Sequence, residues 1–146
     1  MLDQNRIDHV VWAVEPDNLT AYAERLSQLL DTEFEEFTGV SGLRVFVSWD
    51  TGFEVAAPGN GEGPAGDAVR GFLAQKGEGI FAIVHRVPDL EAAAARAKGL
   101  GWPVSDRVAG AAETDALWKR ITRLREQAVG PFANTFLFFG EVDYRD

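Results

Sequence analysis

At 146 residues, 46% of them hydrophobic, the chain is long enough to bury the core of one domain or of two small modules that share one. Its 23 acidic residues outnumber its 14 basic ones for a net charge of −9, with no basic cluster to neutralise phosphates, so neither nucleic acid nor an anionic membrane is an expected partner. Cysteine is absent, which excludes disulfides and thiolate chemistry and leaves histidine and carboxylate as the only strong metal donors.

No apolar run approaches the roughly 18 to 20 residues of a membrane span, and no basic segment precedes an apolar one at the N-terminus, so a soluble cytoplasmic protein is expected. Residues 7–14 alternate around a β-branched run, His9, Val11 and Ala13 against Val10, Trp12 and Val14, which predicts a strand buried on both faces. Pro16 and Asp17 signal a helix over about 17–31, with Leu19, Tyr22, Ala23, Leu26, Leu29 and Leu30 as its packing stripe. Glu33–Phe37 reads as a short strand, Thr38–Gly42 as a turn, and Leu43–Trp49 and Phe53–Ala57 as a hairpin joined at Asp50-Thr51-Gly52.

Pro58–Gly66 holds four glycines and two prolines in nine residues and reads as a flexible linker. Asp67 is the expected cap of a helix to about Lys76, with Val69, Phe72 and Leu73 inward, and Gly77 and Gly79 close it before a strand at 80–87. An alanine-rich helix follows from about Asp89 to Lys98, then a strand Trp102–Arg107. Within 113–128 the apolar spacing fits a helix while 123–129 also suits a strand, so a short helix followed by a strand is expected. Asn134–Tyr144, with Phe136, Phe138 and Phe139, is read as a central strand.

Two stretches repeat one pattern. His9-Val10-Val11-Trp12-Ala13-Val14 falls on Ala82-Ile83-Val84-His85-Arg86-Val87, and each copy reaches an acidic turn with proline before an amphipathic helix. The expectation is an α+β fold of one domain, with module one over about 6–58, a linker at 59–66 and module two over about 67–146. Each module would build a sheet with a helix on one face, the other face being covered by its partner or enclosing a cavity. One copy offers His9 where its twin offers Ala82.

The opening Arg6-Ile7-Asp8-His9-Val10-Val11, the hairpin end Gly52-Phe53-Glu54-Val55-Ala56-Ala57-Pro58, and Gly77-Glu78-Gly79-Ile80 leading to Val87-Pro88-Asp89-Leu90 resemble the vicinal oxygen chelate superfamily. That superfamily includes glyoxalase I, methylmalonyl-CoA epimerase, extradiol dioxygenases and bleomycin-resistance proteins, and the epimerase-like branch looks nearest. The resemblance implies two βαβββ modules forming a curved mixed sheet around a cavity, and a homodimer. In metal-dependent members a divalent ion is held by one ligand from each of four strands. Carried over, His9 and Glu54 match the first two ligand positions, while Ala82 and Phe138 stand at the other two; Glu141 is a further partial candidate, facing the wrong side of a regular strand. The same resemblance puts Val11, Trp49, Ala82, Val84 and Phe138 against the substrate.

Two donors are too few for a structural or catalytic zinc site. Glu54, flanked by core residues, is instead read as a general base, with His9 as the acid or orienting group. The plainer readings are a hydrogen-bonded cavity histidine and a solvated edge carboxylate. His85 shares the parity of Phe81 and Ile83 and is expected to pack as a core histidine. The four tryptophans and ten phenylalanines either line a pocket for an aromatic ligand or simply fill the core. Three functions follow in order: a proton-transfer isomerase, epimerase or lyase on a carbonyl-containing or aromatic small molecule; a non-catalytic, ligand-sequestering protein; and a metal-dependent dioxygenase or glyoxalase with a rearranged site.

Overall fold

The alternating stretch near the N-terminus is strand β1 (Arg6–Ala13), and burial follows its period of two: His9, Val11 and Ala13 are buried, Val10 and Trp12 half-buried. The structure, a computed structural model, describes residues 4–106 and 119–145, the side chains of residues 39 and 40 excepted. A 3-10 turn at Pro16–Asn18 leads into helix α1 (Leu19–Leu30), which ends at Asp31 in the left-handed region (φ 50°). Leu19 and Ala23 pack with Val14, Val55 and Ala57, and Trp12, Tyr22, Leu26 and Phe46 close around them. Leu29, expected in that stripe, is 78% exposed.

Strand β2 (Glu35–Val40) continues through residues expected to turn, because Ser41 and Gly42 alone make the reversal with φ values of 51° and 80°. Strands β3 (Leu43–Ser48) and β4 (Phe53–Pro58) form the expected hairpin, in register from Ser48 with Phe53 to Leu43 with Pro58. The glycine-rich stretch that follows lies against the turn between β2 and β3. Helix α2 (Pro64–Lys76) starts within it, with Pro64 in the first turn where no N–H is needed, so Asp67 lies inside the helix rather than capping it. Gly59 N–H donates to the Gly42 carbonyl at 2.8 Å, and Gly66 N–H to that of Ser41 at 2.8 Å. Side chains at 63 and 66 would collide with this turn: a Cβ would lie 2.3 Å from the Ser41 carbonyl carbon and 2.4 Å from the Gly42 oxygen respectively.

Strand β5 (Gly79–Arg86) is followed by helix α3 (Leu90–Gly99), capped by the Asp89 carboxylate accepting from Ala92 N–H at 3.0 Å. Residues 102–106 do not form the expected strand. Pro103 has no N–H to offer a ladder, and the segment is held instead through Ser105, whose N–H donates to the Ala128 carbonyl at 2.9 Å. Residues 107–118, which hold Arg107 and most of the expected short helix, lie outside the described residues. By Ile121 the chain is already strand β6 (Ile121–Ala128), so the expected helix does not extend there; β7 (Phe136–Tyr144) follows.

Two units result, His9–Phe81 and the rest of the described chain. In the first, strands lie in the order β2-β3-β4-β1, with β1 parallel to β4 and the other pairs antiparallel; α2 packs on β4. In the second the order is β5-β7-β6, with β5 parallel to β7 and β6 antiparallel to it, and Val87, Leu90 and Ala93 pack with Phe139. Each unit therefore returns its last strand beside its first, in parallel. The sequence repeat is a repeat of topology. No helix among the described residues is long and apolar enough to cross a membrane.

Candidate functional site

Parallel pairing of β1 with β4 decides which side chains meet. Val11 is in register with Glu54 and Ala13 with Ala56, so His9, Val11 and Glu54 share one face, and Trp12 with Val55 the other. On the next strand Val47 stands opposite Glu54. The His9 imidazole, 1% exposed, brings Nε2 to 3.5 Å from Glu54 Oε1. Trp49 is buried beside them, its ring edge-on to the imidazole with centroids 5.3 Å apart and planes at 81°. Of the expected site residues the first unit thus gathers His9, Val11, Trp49 and Glu54: one carboxylate, one imidazole and apolar walls.

The second unit carries the same geometry without the chemistry. Val84 pairs with Phe138 as Val11 pairs with Glu54, and Ala82 precedes Val84 by two residues as His9 precedes Val11. Ala82 is the positional twin of His9, and Phe138 that of Glu54. Gly140 lies on the same face, and a Cβ there would meet Val84 Cγ1 at 2.6 Å, so Val84 leans over the backbone at that point.

Glu141 projects to the opposite side of β7. Its Oε2 accepts from Leu90 N–H at 3.0 Å, at the start of α3, and its Oε1 from Arg123 Nη1 at 2.9 Å and Arg125 Nη2 at 2.5 Å. Burial disfavours its charge, but the Leu90 N–H and the two guanidiniums outweigh that and hold its pKa below the ordinary carboxylate value. The β5–β7 register runs without a shift from Phe136 to Gly140, so no bulge turns Glu141 toward Phe138. Its carboxylate is engaged at the start of α3 and by β6, on the side away from Phe138. Among the described residues no group of three or more histidine, aspartate or glutamate side chains could hold a metal ion, and His9 with Glu54 alone do not fit a resident divalent cation. His85, expected as a core histidine, is only half-buried; it faces Phe139 as its parity requires, and its Nε2 lies 2.6 Å from Asn5 Oδ1.

One polar cluster has no precursor in the sequence reading. The Glu78 carboxylate accepts from Glu15 N–H at 2.9 Å, Asn18 Nδ2 at 3.0 Å and the Tyr22 hydroxyl at 2.8 Å. Glu78 is some sixty residues from those donors, and no local pattern announces the meeting.

No protein-family model and no curated protein matches the sequence. Solved structures do. A methylmalonyl-CoA epimerase from Mycobacterium tuberculosis is 20% identical with a TM-score of 0.70, over 93% of this chain and 87% of that one. A methylmalonyl-CoA epimerase in complex with methylmalonyl-CoA and ammonium is 20% identical with a TM-score of 0.71, over 94% of each chain. A hypothetical protein from Bacillus halodurans C-125 is 17% identical with a TM-score of 0.72, over 97% of each. The chain has the α+β fold of the vicinal oxygen chelate superfamily, to which the epimerases belong.

Proposed function

We propose that this chain is a proton-transfer enzyme, an isomerase or epimerase of a small carbonyl compound, that works through Glu54 and His9 without a tightly bound metal. The observation that carries the reading is the pair itself: a buried imidazole and a half-buried carboxylate at 3.5 Å in the first unit, where the second unit has Ala82 and Phe138. Glu54 accepts the proton from the carbon beside the carbonyl; the C–H electron pair becomes the C=C bond of an enolate as the C=O π pair moves onto oxygen. His9 Nε2–H donates a hydrogen bond to that oxygen, and protonated Glu54 returns the proton either to a different carbon of the conjugated system, completing an isomerisation, or to the opposite face of the same carbon once the enolate has turned, completing an epimerisation. Val11, Val47 and Trp49 are buried beside the pair and lower the polarity around it, which strengthens both interactions. The epimerase neighbours, one of them bound to methylmalonyl-CoA, support an acyl thioester with an acidic α-hydrogen as the first substrate to test.

Deuterium wash-in at that α-carbon, followed by NMR in heavy water, tests the reading directly. Wild type is expected to exchange the proton, and Glu54→Gln to lower the rate by about a hundredfold or more while ligand affinity changes little. Exchange by the glutamine variant at the wild-type rate removes Glu54 as the base.

The apolar face of Ala82, Val84 and Phe138 favours a second reading, sequestration of an aromatic ligand without turnover. Tight binding by calorimetry, with no exchange of any 2-substituted acyl thioester or oxo acid, would make that the better account.

A further inference from the structure

The opposite face of the β1–β4 pair holds a cavity of about 850 Å³ within the His9–Phe81 unit, inside the usual size range for small-molecule sites. Phe53 and Val55, which flank Glu54 along β4, point into it, as do Trp12 and Val14 from β1. Strand alternation therefore separates this cavity from His9 and Glu54 by the thickness of the sheet. Its floor is a stacked pair, Trp12 on Phe53, with ring centroids 4.8 Å apart and planes within 7°. Leu26 and the exposed Leu29 of α1 form the facing wall.

Two charged residues, Glu78 and Arg25, line the cavity. The Glu78 carboxylate already accepts three hydrogen bonds. Arg25, one turn along α1 from Tyr22, has no hydrogen bond or ion pair to a carboxylate among the described residues. A flat apolar slab beside a guanidinium that no carboxylate among the described residues neutralises selects a definite chemistry, since an aromatic body fills the slab and an anionic group meets the guanidinium.

We infer that this cavity is a second small-molecule site, for a planar aromatic compound carrying one carboxylate, distinct from the His9–Glu54 pair. It stands whether or not that pair is catalytic. The probe is 2-naphthoate, titrated into the full chain by calorimetry, with neutral 2-naphthamide as control. One equivalent of naphthoate is expected to bind. Arg25→Gln should weaken naphthoate about fivefold and leave naphthamide unchanged. Leu29→Glu, at an exposed position that the fold does not need, should weaken naphthoate by placing a like charge at the mouth, and Glu54→Gln should alter neither ligand. Naphthoate affinity indifferent to both α1 variants, or lost with Glu54→Gln, overturns the proposal. So does sedimentation in which Leu29→Glu splits a dimer while naphthoate affinity is unmoved, since the face is then an interface between two copies.

Discussion

A single carboxylate, Glu78, ties the turn before α1 to the start of β5, and its neighbours make that tie sensitive to pH at both ends. Donation from Asn18, and with it from Glu15 N–H and Tyr22, holds its pKa below the ordinary glutamate value. The stability it contributes is therefore complete above the ordinary carboxylate range and is lost as pH falls through the lowered folded value. Tyr22 is the converse: its hydrogen bond to Glu78 raises its pKa above 10.0, so its share is complete below that and is lost as pH rises through the raised value. Urea unfolding across pH should show Glu78→Gln flattening both limbs and Tyr22→Phe flattening chiefly the alkaline one. An acid limb unchanged in Glu78→Gln would assign it to other carboxylates. At this scale His9 and Glu54 were legible, because alternation alone puts each on a definite face. Glu78 was not, since its partners are set by tertiary packing.

Among the elements, hydrophobic period found the strands and helices, and backbone contact explains where it failed. Glycines crowded at 59–66 look flexible from composition, yet Gly63 and Gly66 are small because α2 begins in contact with the Ser41–Gly42 turn. Gly66→Ala should lower stability by about 1 to 3 kcal/mol, because its Cβ meets backbone that cannot rotate away. Gly61→Ala, with nothing within 4 Å, is the control and should leave the denaturation midpoint nearly unchanged. Equal midpoints for the two variants would mean that the turn moves freely. The lost strand at 102–106 has a similar origin in Pro103, and Glu141, unassignable from sequence beyond its parity, found its partners on α3 and β6.

For the whole molecule, the internal repeat was the most legible feature, and it carried the fold class because both units reuse one strand order. What it could not give was where the copies had diverged in chemistry beyond Ala82 and Phe138. Protein purified without added metal is expected to hold well under one equivalent of zinc, iron, manganese, nickel or cobalt by elemental analysis, with a melting temperature indifferent to chelator. Stoichiometric metal retained through dialysis would require donors among residues 107–118 or another chain. The homodimer implied by the family resemblance is tested by sedimentation at micromolar concentration, where a pure monomer removes it. Parallel pairing also dictates an order of assembly. The β3–β4 hairpin closes through four residues of turn, whereas β1 must wait for a strand made much later in synthesis before Val11 can find Glu54. Substitutions in the hairpin should therefore slow folding and those in β1 chiefly hasten unfolding, so that the His9–Glu54 pair is among the last features to form and the first to come apart.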